Sequence, residues 1–384
     1  MVVHVEVRPA LLRWAVERAR WDDETLSRRV PDFASWLSGS ARPTLRQLER
    51  FAHATHAPFG QLFLDEPPQE RIPIPDMRTM TTERSGPPSA DLLETIYTCQ
   101  LRQDWYREFS ESSDEDRVGW VASVDVSSSP TLVAGRIRGA LEYGTGTRSR
   151  FSSSAEALRW LIERVEELGV LVMVNGIVGS DTHRRLDPSE FRGFALADHR
   201  APLIFVNGAD TKAAQIFTLI HELAHLWLGG SALSEPDPLA HDVPREERWC
   251  DEVAAEVLVP LAEFEARRDL GTDTQSLDRL AREYKVSTLV ILRRMLEAGF
   301  VDRDDFFQIF EEERGRVLTL MASRKESNGG EYYRTQTRRL GRKFVRAVVI
   351  SAAEGSTSYR EAFHLLGTKK RSTFDGLAES VGLH

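Results

Sequence analysis

Only two cysteines, Cys99 and Cys250, occur in the 384 residues, and no apolar run approaches the length of a membrane span. Two thiols make no disulfide framework, which excludes the small secreted scaffolds and fits a reducing compartment. Positive charge is also in deficit: 50 Lys and Arg stand against 59 Asp and Glu, for a net charge of -9. That balance argues against nonspecific nucleic-acid binding by the whole molecule, while leaving room for a local basic surface. The opening Met1-Val2-Val3-His4-Val5-Glu6 lacks the shape of a signal peptide. The expectation is therefore a cytoplasmic protein with no membrane partner. What remains is ordinary for a globular chain, 41% hydrophobic and 28% charged. The length exceeds one usual core and predicts two or three domains.

Against that plain background, His221-Glu222-Leu223-Ala224-His225 stands out as H-E-x-x-H. The run 213–220 leads into it without Gly or Pro, and Gly229-Gly230 stops it, so a helix is predicted. On a helix, positions i and i+4 share a face, which lets His221 and His225 reach one zinc ion and sets Glu222 beside it as a proton acceptor. Zinc needs a third protein ligand. A second helix pattern at 247–259, ended by Pro260, offers Glu247, with Asp251 one turn on to orient a ligand histidine. His241 and Glu246 compete as ligands. Glu252 and Glu256 read as solvated faces, and Cys250 as a small buried residue.

These two stretches resemble the ImmA/IrrE-type metallopeptidases. That family has F-T-x-x-H-E-x-x-H followed by E-x-x-x-N/D-x-x-A-A-x-x-L-x-P; this chain reads Phe217-Thr218 ahead of His221, then Glu247, Asp251, Ala254-Ala255, Leu258 and Pro260. The resemblance implies a gluzincin-like core with Zn2+ on His221, His225 and Glu247 and with Glu222 as general base. Asp251 stands where the family often has Asn. It also implies limited cleavage of a partner repressor, often an XRE protein, that releases genes for stress or mobile-element responses. The rival expectation is non-enzymatic: an antitoxin or repressor of a toxin–antitoxin module that keeps the fold as scaffold and binds a toxin and operator DNA.

A peptidase of this kind holds its substrate backbone by strand addition. The segment 192–198, before the buried-looking 203–207, is the candidate edge strand. The residue that would stabilise the oxyanion stays open among His183, His199, His241 and Tyr284.

Ahead of this, apolar residues at helical spacing in 9–20, 24–30, 33–38 and 45–52, joined by short turns, predict a helix-turn-helix bundle. Its order, and Trp36-Leu37-Ser38-Gly39 with Pro43-Thr44-Leu45, resemble the XRE DNA-binding family. The expected reading helix starts near Pro31-Asp32-Phe33, where Asp32 is acidic and no Arg, Asn or Gln reaches base edges. Arg28, Arg29, Arg42 and Arg46 are the expected phosphate contacts. A bundle kept for protein contact or homodimerisation is the alternative. Proline-dense sequence over 67–90 predicts an extended linker that blocks helix and sheet pairing.

Helices at 91–115 and 153–168, a strand at 170–174 and a second helix-turn-helix pattern at 277–295 complete the expectation. The second pattern is expected to pack on the peptidase core. From 324 to 371, twelve Lys and Arg face four Asp and Glu, which suggests an acidic partner or a solvated surface. The fold class expected is α+β and mainly helical: a helix-turn-helix domain (1–66), linker (67–90), zinc peptidase domain (91–320) and basic helical C-terminal region (321–384).

Overall fold

The computed structural model describes residues 3–76, 88–234, 243–267, 270–323 and 332–383. The chain is α+β and mainly helical, and its described residues fall into two compact units. The first holds residues 3–73 and 88–97, the second 74–76 and 98–383.

In the first unit, α1 (Pro9–Arg18) begins with a proline in the first turn, where a missing N–H costs no helical bond. Asp22 caps α2 (Asp23–Arg29) by accepting the N–H of Thr25 at 2.8 Å. The short α3 (Phe33–Ser38) follows. Thr44 and Gln47 form a reciprocal capping box at the start of α4 (Leu45–Thr55), satisfying donors the helix leaves open. Leu11, Leu12, Trp36, Leu48 and Phe51 close a core belonging to this unit alone. The expected reading helix is α3, and both Phe33 and Trp36 on it are buried.

α5 (Ala90–Ser112) contributes to both units. Of its aromatic stripe, Tyr106 is buried, Trp105 stacks on Phe109, and Tyr97 is exposed. The second unit continues with α6 (Pro130–Leu141), α7 (Thr145–Arg148) and α8 (Ser154–Glu167), the last capped by Ser153 as its Ser-Ser-Ser lead predicts. Then come β1 (Leu171–Asn175), a small hairpin of β2 (Ile177–Val178) and β3 (Asp181–Arg185), β4 (Gly193–Leu196) and β5 (Leu203–Asn207). α9 (Lys212–Leu228), β6 (Ala232–Ser234), α10 (Arg245–Leu258), α11 (Leu261–Glu265), α12 (Thr274–Tyr284), α13 (Thr288–Glu297) and α14 (Arg303–Ser323) follow. Four more helices end the chain: α15 (Tyr332–Leu340), α16 (Arg342–Ala353), α17 (Tyr359–Leu365) and α18 (Arg371–Ser380).

The main sheet has the order β1-β5-β4-β6. β1 and β5 run parallel, while β4 is antiparallel to both β5 and β6. The expected edge strand is therefore interior: Phe194 pairs with Phe205 on one side and Leu233 on the other. β6, three residues long, takes the edge instead. Its outer side is engaged: the N–H of Leu233 donates to the carbonyl of Pro75 at 3.0 Å, and Asp76 forms a parallel bridge with Leu233. The linker was expected to resist sheet pairing. Proline lacks the N–H, but this bridge needs only its carbonyl.

At the other edge, α15 and α16 lie against β1. Gly341, between them, comes so close that a Cβ there would sit 2.8 Å from the carbonyl oxygen of Val172. The core lies between the sheet and α6, α8, α9 and α10, with Val172, Ile204, Leu219, Leu223 and Val253 in it. Leu277, Leu280, Ile291 and Leu292 of α12 and α13 join the same core, as the resemblance implies. No described helix is long and apolar enough to cross a membrane.

Candidate metal centre

Thr211 caps α9 by accepting the N–H of Ala214 at 3.2 Å, which fixes the start of the helix that carries the H-E-x-x-H. α9 is buried along most of its length, because the sheet, α8 and α10 all pack on it. Its histidines consequently sit in a closed interior, His221 at 0% and His225 at 2% exposure. α10 lies alongside and brings Glu247 between them. Glu247 Oε2 is 3.1 Å from His221 Nε2, and its Oε1 is 2.9 Å from His225 Nε2. The two imidazole Nε2 atoms are themselves only 3.1 Å apart.

Two imidazole nitrogens and a carboxylate converging in this way suit a cation, since protons alone cannot satisfy every facing lone pair. Among the described residues, this trio is the group of His, Cys, Asp or Glu able to hold a metal, with ligand atoms within 4.8 Å of one another. N, N and O donors from histidine and glutamate are a zinc-type set. Burial opposes charge on His221, yet Glu247 first and Asp251 next hold its pKa well above the usual histidine value. Burial likewise opposes charge on Glu247, but the facing histidines outweigh it and keep the carboxylate down at about 2. Burial leaves His225 below its ordinary value, with its lone pair available.

Glu222 follows His221 on the same helix. It is fully buried, neither carboxylate oxygen has a hydrogen-bond partner of good geometry, and burial pushes it up to about 8 against the opposing pull of His221 and the Ser234 hydroxyl. A buried carboxylate left without well-placed donors is costly unless something not made of protein approaches it. Asp251 Oδ1 lies 3.0 Å from His221 Nδ1, off the line of a good hydrogen bond, while its Oδ2 is 3.3 Å from Arg293 Nη1 on α13. One carboxylate thus backs a histidine and is itself held by an arginine.

Three contributors were not read from the sequence. Ser234 on β6 places its hydroxyl 3.3 Å from His225 Nε2 and 3.4 Å from Glu247 Oε1. Gly193 on β4 lets the strand approach α9, where a Cβ would meet Thr218 Cγ2 at 2.5 Å and Glu222 Oε1 at 3.1 Å. Arg293 is the third. Each reaches the site through tertiary packing and carries no local motif.

The other sequence candidates fall elsewhere. Glu256 was expected on a solvated face; it is buried, paired with Arg294 Nη2 at 2.7 Å, because α6 and α9 enclose α10 and α13 brings the arginine in. Glu246 and Glu252 are exposed, and Cys250 is buried in the core. Tyr284 is a core residue under the Arg148 guanidinium, 4.3 Å from its ring centre, while His183 and His199 are exposed. No hydrogen bond, ion pair or ring contact joins any of these three to the histidine cluster. His241 lies outside the described residues. In the first unit, Arg28, Arg29, Arg42 and Arg46 are all exposed; Arg29 covers Trp21, and Arg42 pairs with Glu6 at 3.1 Å.

A small mixed sheet backed by a helix with two histidines, and a second helix with a facing glutamate, define a metallopeptidase-type α+β domain. Residues 165–296, from the end of α8 through most of α13, match the family model of the IrrE N-terminal-like domain. The chain therefore carries a domain of the ImmA/IrrE metallopeptidase family. Residues 340–380 match a domain of unknown function (DUF8813). No curated protein and no solved structure matches the chain.

Proposed function

We propose that this protein is a zinc-dependent endopeptidase that cuts a partner repressor or other regulatory protein and so controls transcription. The observation that carries the reading is the buried convergence of His221, His225 and Glu247 next to a carboxylate, Glu222, that has no hydrogen-bond partner of good geometry. Zinc held by these three residues would supply a Lewis acid for carbonyl polarisation and for acidifying water. Glu222 would accept the proton of the attacking water and return it to the leaving nitrogen, a task suited by a carboxylate whose affinity for protons is raised. Asp251 would hold His221 in one orientation and tautomer, and Arg293 would hold Asp251. An extended protein segment would add to the β6 edge, beside Ser234. The first unit would recruit that partner or operator DNA, with Arg28, Arg29, Arg42 and Arg46 meeting phosphates, alone or as a homodimer, in the cytoplasm.

Glu222→Gln is the test. It should keep one zinc per chain and lower cleavage of the partner by on the order of a hundredfold or more. Glu247→Ala should lose the metal as well.

One observation favours the second reading, a non-proteolytic antitoxin or repressor that binds a toxin and operator DNA. The strand edge a substrate would take is engaged by residues 75 and 76. If Glu222→Gln acts as wild type in the biological readout, this reading replaces the first.

A further inference from the structure

A cleft of about 680 Å³ lies between α8, β1 and the C-terminal helices α15 and α16. That volume is in the range of small-molecule sites. Leu158, Ile162 and Val172 give it an apolar wall, and five cations reach it: Arg159, Lys212, Arg334, Arg338 and Arg342. Two carboxylates, Glu163 and Glu166, also border it. Glu166 is already used, because it accepts the N–H of Lys343 at 3.1 Å at the start of α16. Neither Arg159 nor Arg338 has an ion-pair or hydrogen-bond partner among the described residues. Arg338 is exposed, and its charged neighbours are the like charges of Arg339 and Arg159.

These two guanidinium groups lie beside an apolar wall and near Arg342, whose guanidinium donates to the carbonyls of Ser380 and Val381. Such a set matches a ligand with several oxyanions and a flat or apolar body. We propose that this cleft binds a phosphate-bearing small molecule of nucleotide size. The polyanionic end would lie among Arg159, Arg338 and Arg342, and the apolar end against Leu158 and Ile162. This assigns a role to the C-terminal helices: α16, at the start of the segment of unknown function, supplies Arg342, and α15 supplies Arg338. α8, which forms the opposite wall, packs against the metal helix α9, so the ligand would touch the peptidase domain from outside its centre. The proposal is independent of whether the metal centre cleaves peptides.

Calorimetry and thermal denaturation of the full chain test it, with ATP, pyrophosphate, adenosine and a short single-stranded oligonucleotide as probes. ATP and pyrophosphate should bind and raise the melting temperature, and adenosine should not. Arg159→Ala, on the exposed face of α8, and Arg338→Ala should each weaken ATP binding by on the order of tenfold, with circular dichroism unchanged. Arg338→Lys should restore part of the loss. Failure of both phosphate compounds to bind, unaltered binding by the two variants, or binding of the oligonucleotide alone would overturn the proposal.

Discussion

At Asp251 a single carboxylate faces two neighbours, His221 at 3.0 Å and Arg293 at 3.3 Å. Removing such a supporting group commonly costs roughly 10–100-fold in metal affinity while leaving the ligands in place. Asp251→Ala should therefore bind zinc about that much more weakly in a chelator competition, and Asp251→Asn should lose less. Wild-type affinity in the alanine variant would remove Asp251 from the site. Gly193 allows a second prediction. Its missing Cβ would overlap Thr218 Cγ2 at 2.5 Å and Phe205 O at 2.8 Å, the latter a backbone atom that cannot swing away. Gly193→Ala should cost roughly 1–3 kcal/mol, seen as a lowered melting temperature. The five residues from His221 to Asp251 were legible in the sequence because helical spacing converts directly into a shared face. Ser234 and Arg293 were not, since a serine on a three-residue strand and an arginine on a remote helix acquire meaning only after folding.

Helices were easier to read than strands for a physical reason. α8, α9 and α12 carry side-chain caps and several turns of periodicity, whereas β6 has three residues and no alternation to show. That is why β4 was expected at the edge and is found inside. α10 gave the opposite error at Glu256, because the sequence does not reveal that a helix is enclosed on more than one side. Its buried pair with Arg294 predicts that Arg294→Ala, which leaves the buried Glu256 carboxylate with the N–H of Leu261 but no counter-charge from Arg294, costs about 3–5 kcal/mol. The junction of α8 and α16 has its own titration. Burial raises Glu166 to about 7, against backbone N–H groups of Lys343 and Arg342 and the charges of those two residues, which pull the other way. A carboxyl with a raised folded pKa contributes its full stabilisation below its unfolded pKa of about 4.5 and loses it as pH rises through about 7. Between about pH 5 and pH 8 the wild type should therefore lose more thermal stability than Glu166→Gln does. Equal losses in the two would place the proton elsewhere.

For the molecule as a whole, the order of helix and strand patterns along the sequence gave a mainly helical α+β chain, as found, but it could not say what the basic tail does. Residues 342–352 bury Phe344, Val345, Val348 and Val349, and α15 lies on β1. Cutting the chain near residue 324 should thus lower the melting temperature of the remainder, beyond any change in charge. Point changes are the cleaner probe of nucleic-acid contact. If the first unit meets phosphates, Arg28→Ala with Arg46→Ala should weaken promoter binding and flatten its dependence on salt without altering sequence preference. The pairing of Pro75 with Leu233 has a further consequence for how this protein can be dissected. A fragment beginning at residue 98 would present β6 with its hydrogen-bonding groups bare, and raw strand edges recruit one another. Such a fragment should self-associate as its concentration rises, and adding back a peptide spanning residues 70–78 should keep it monomeric. The linker would then be a built-in solubility guard, protecting the sheet from its own copies.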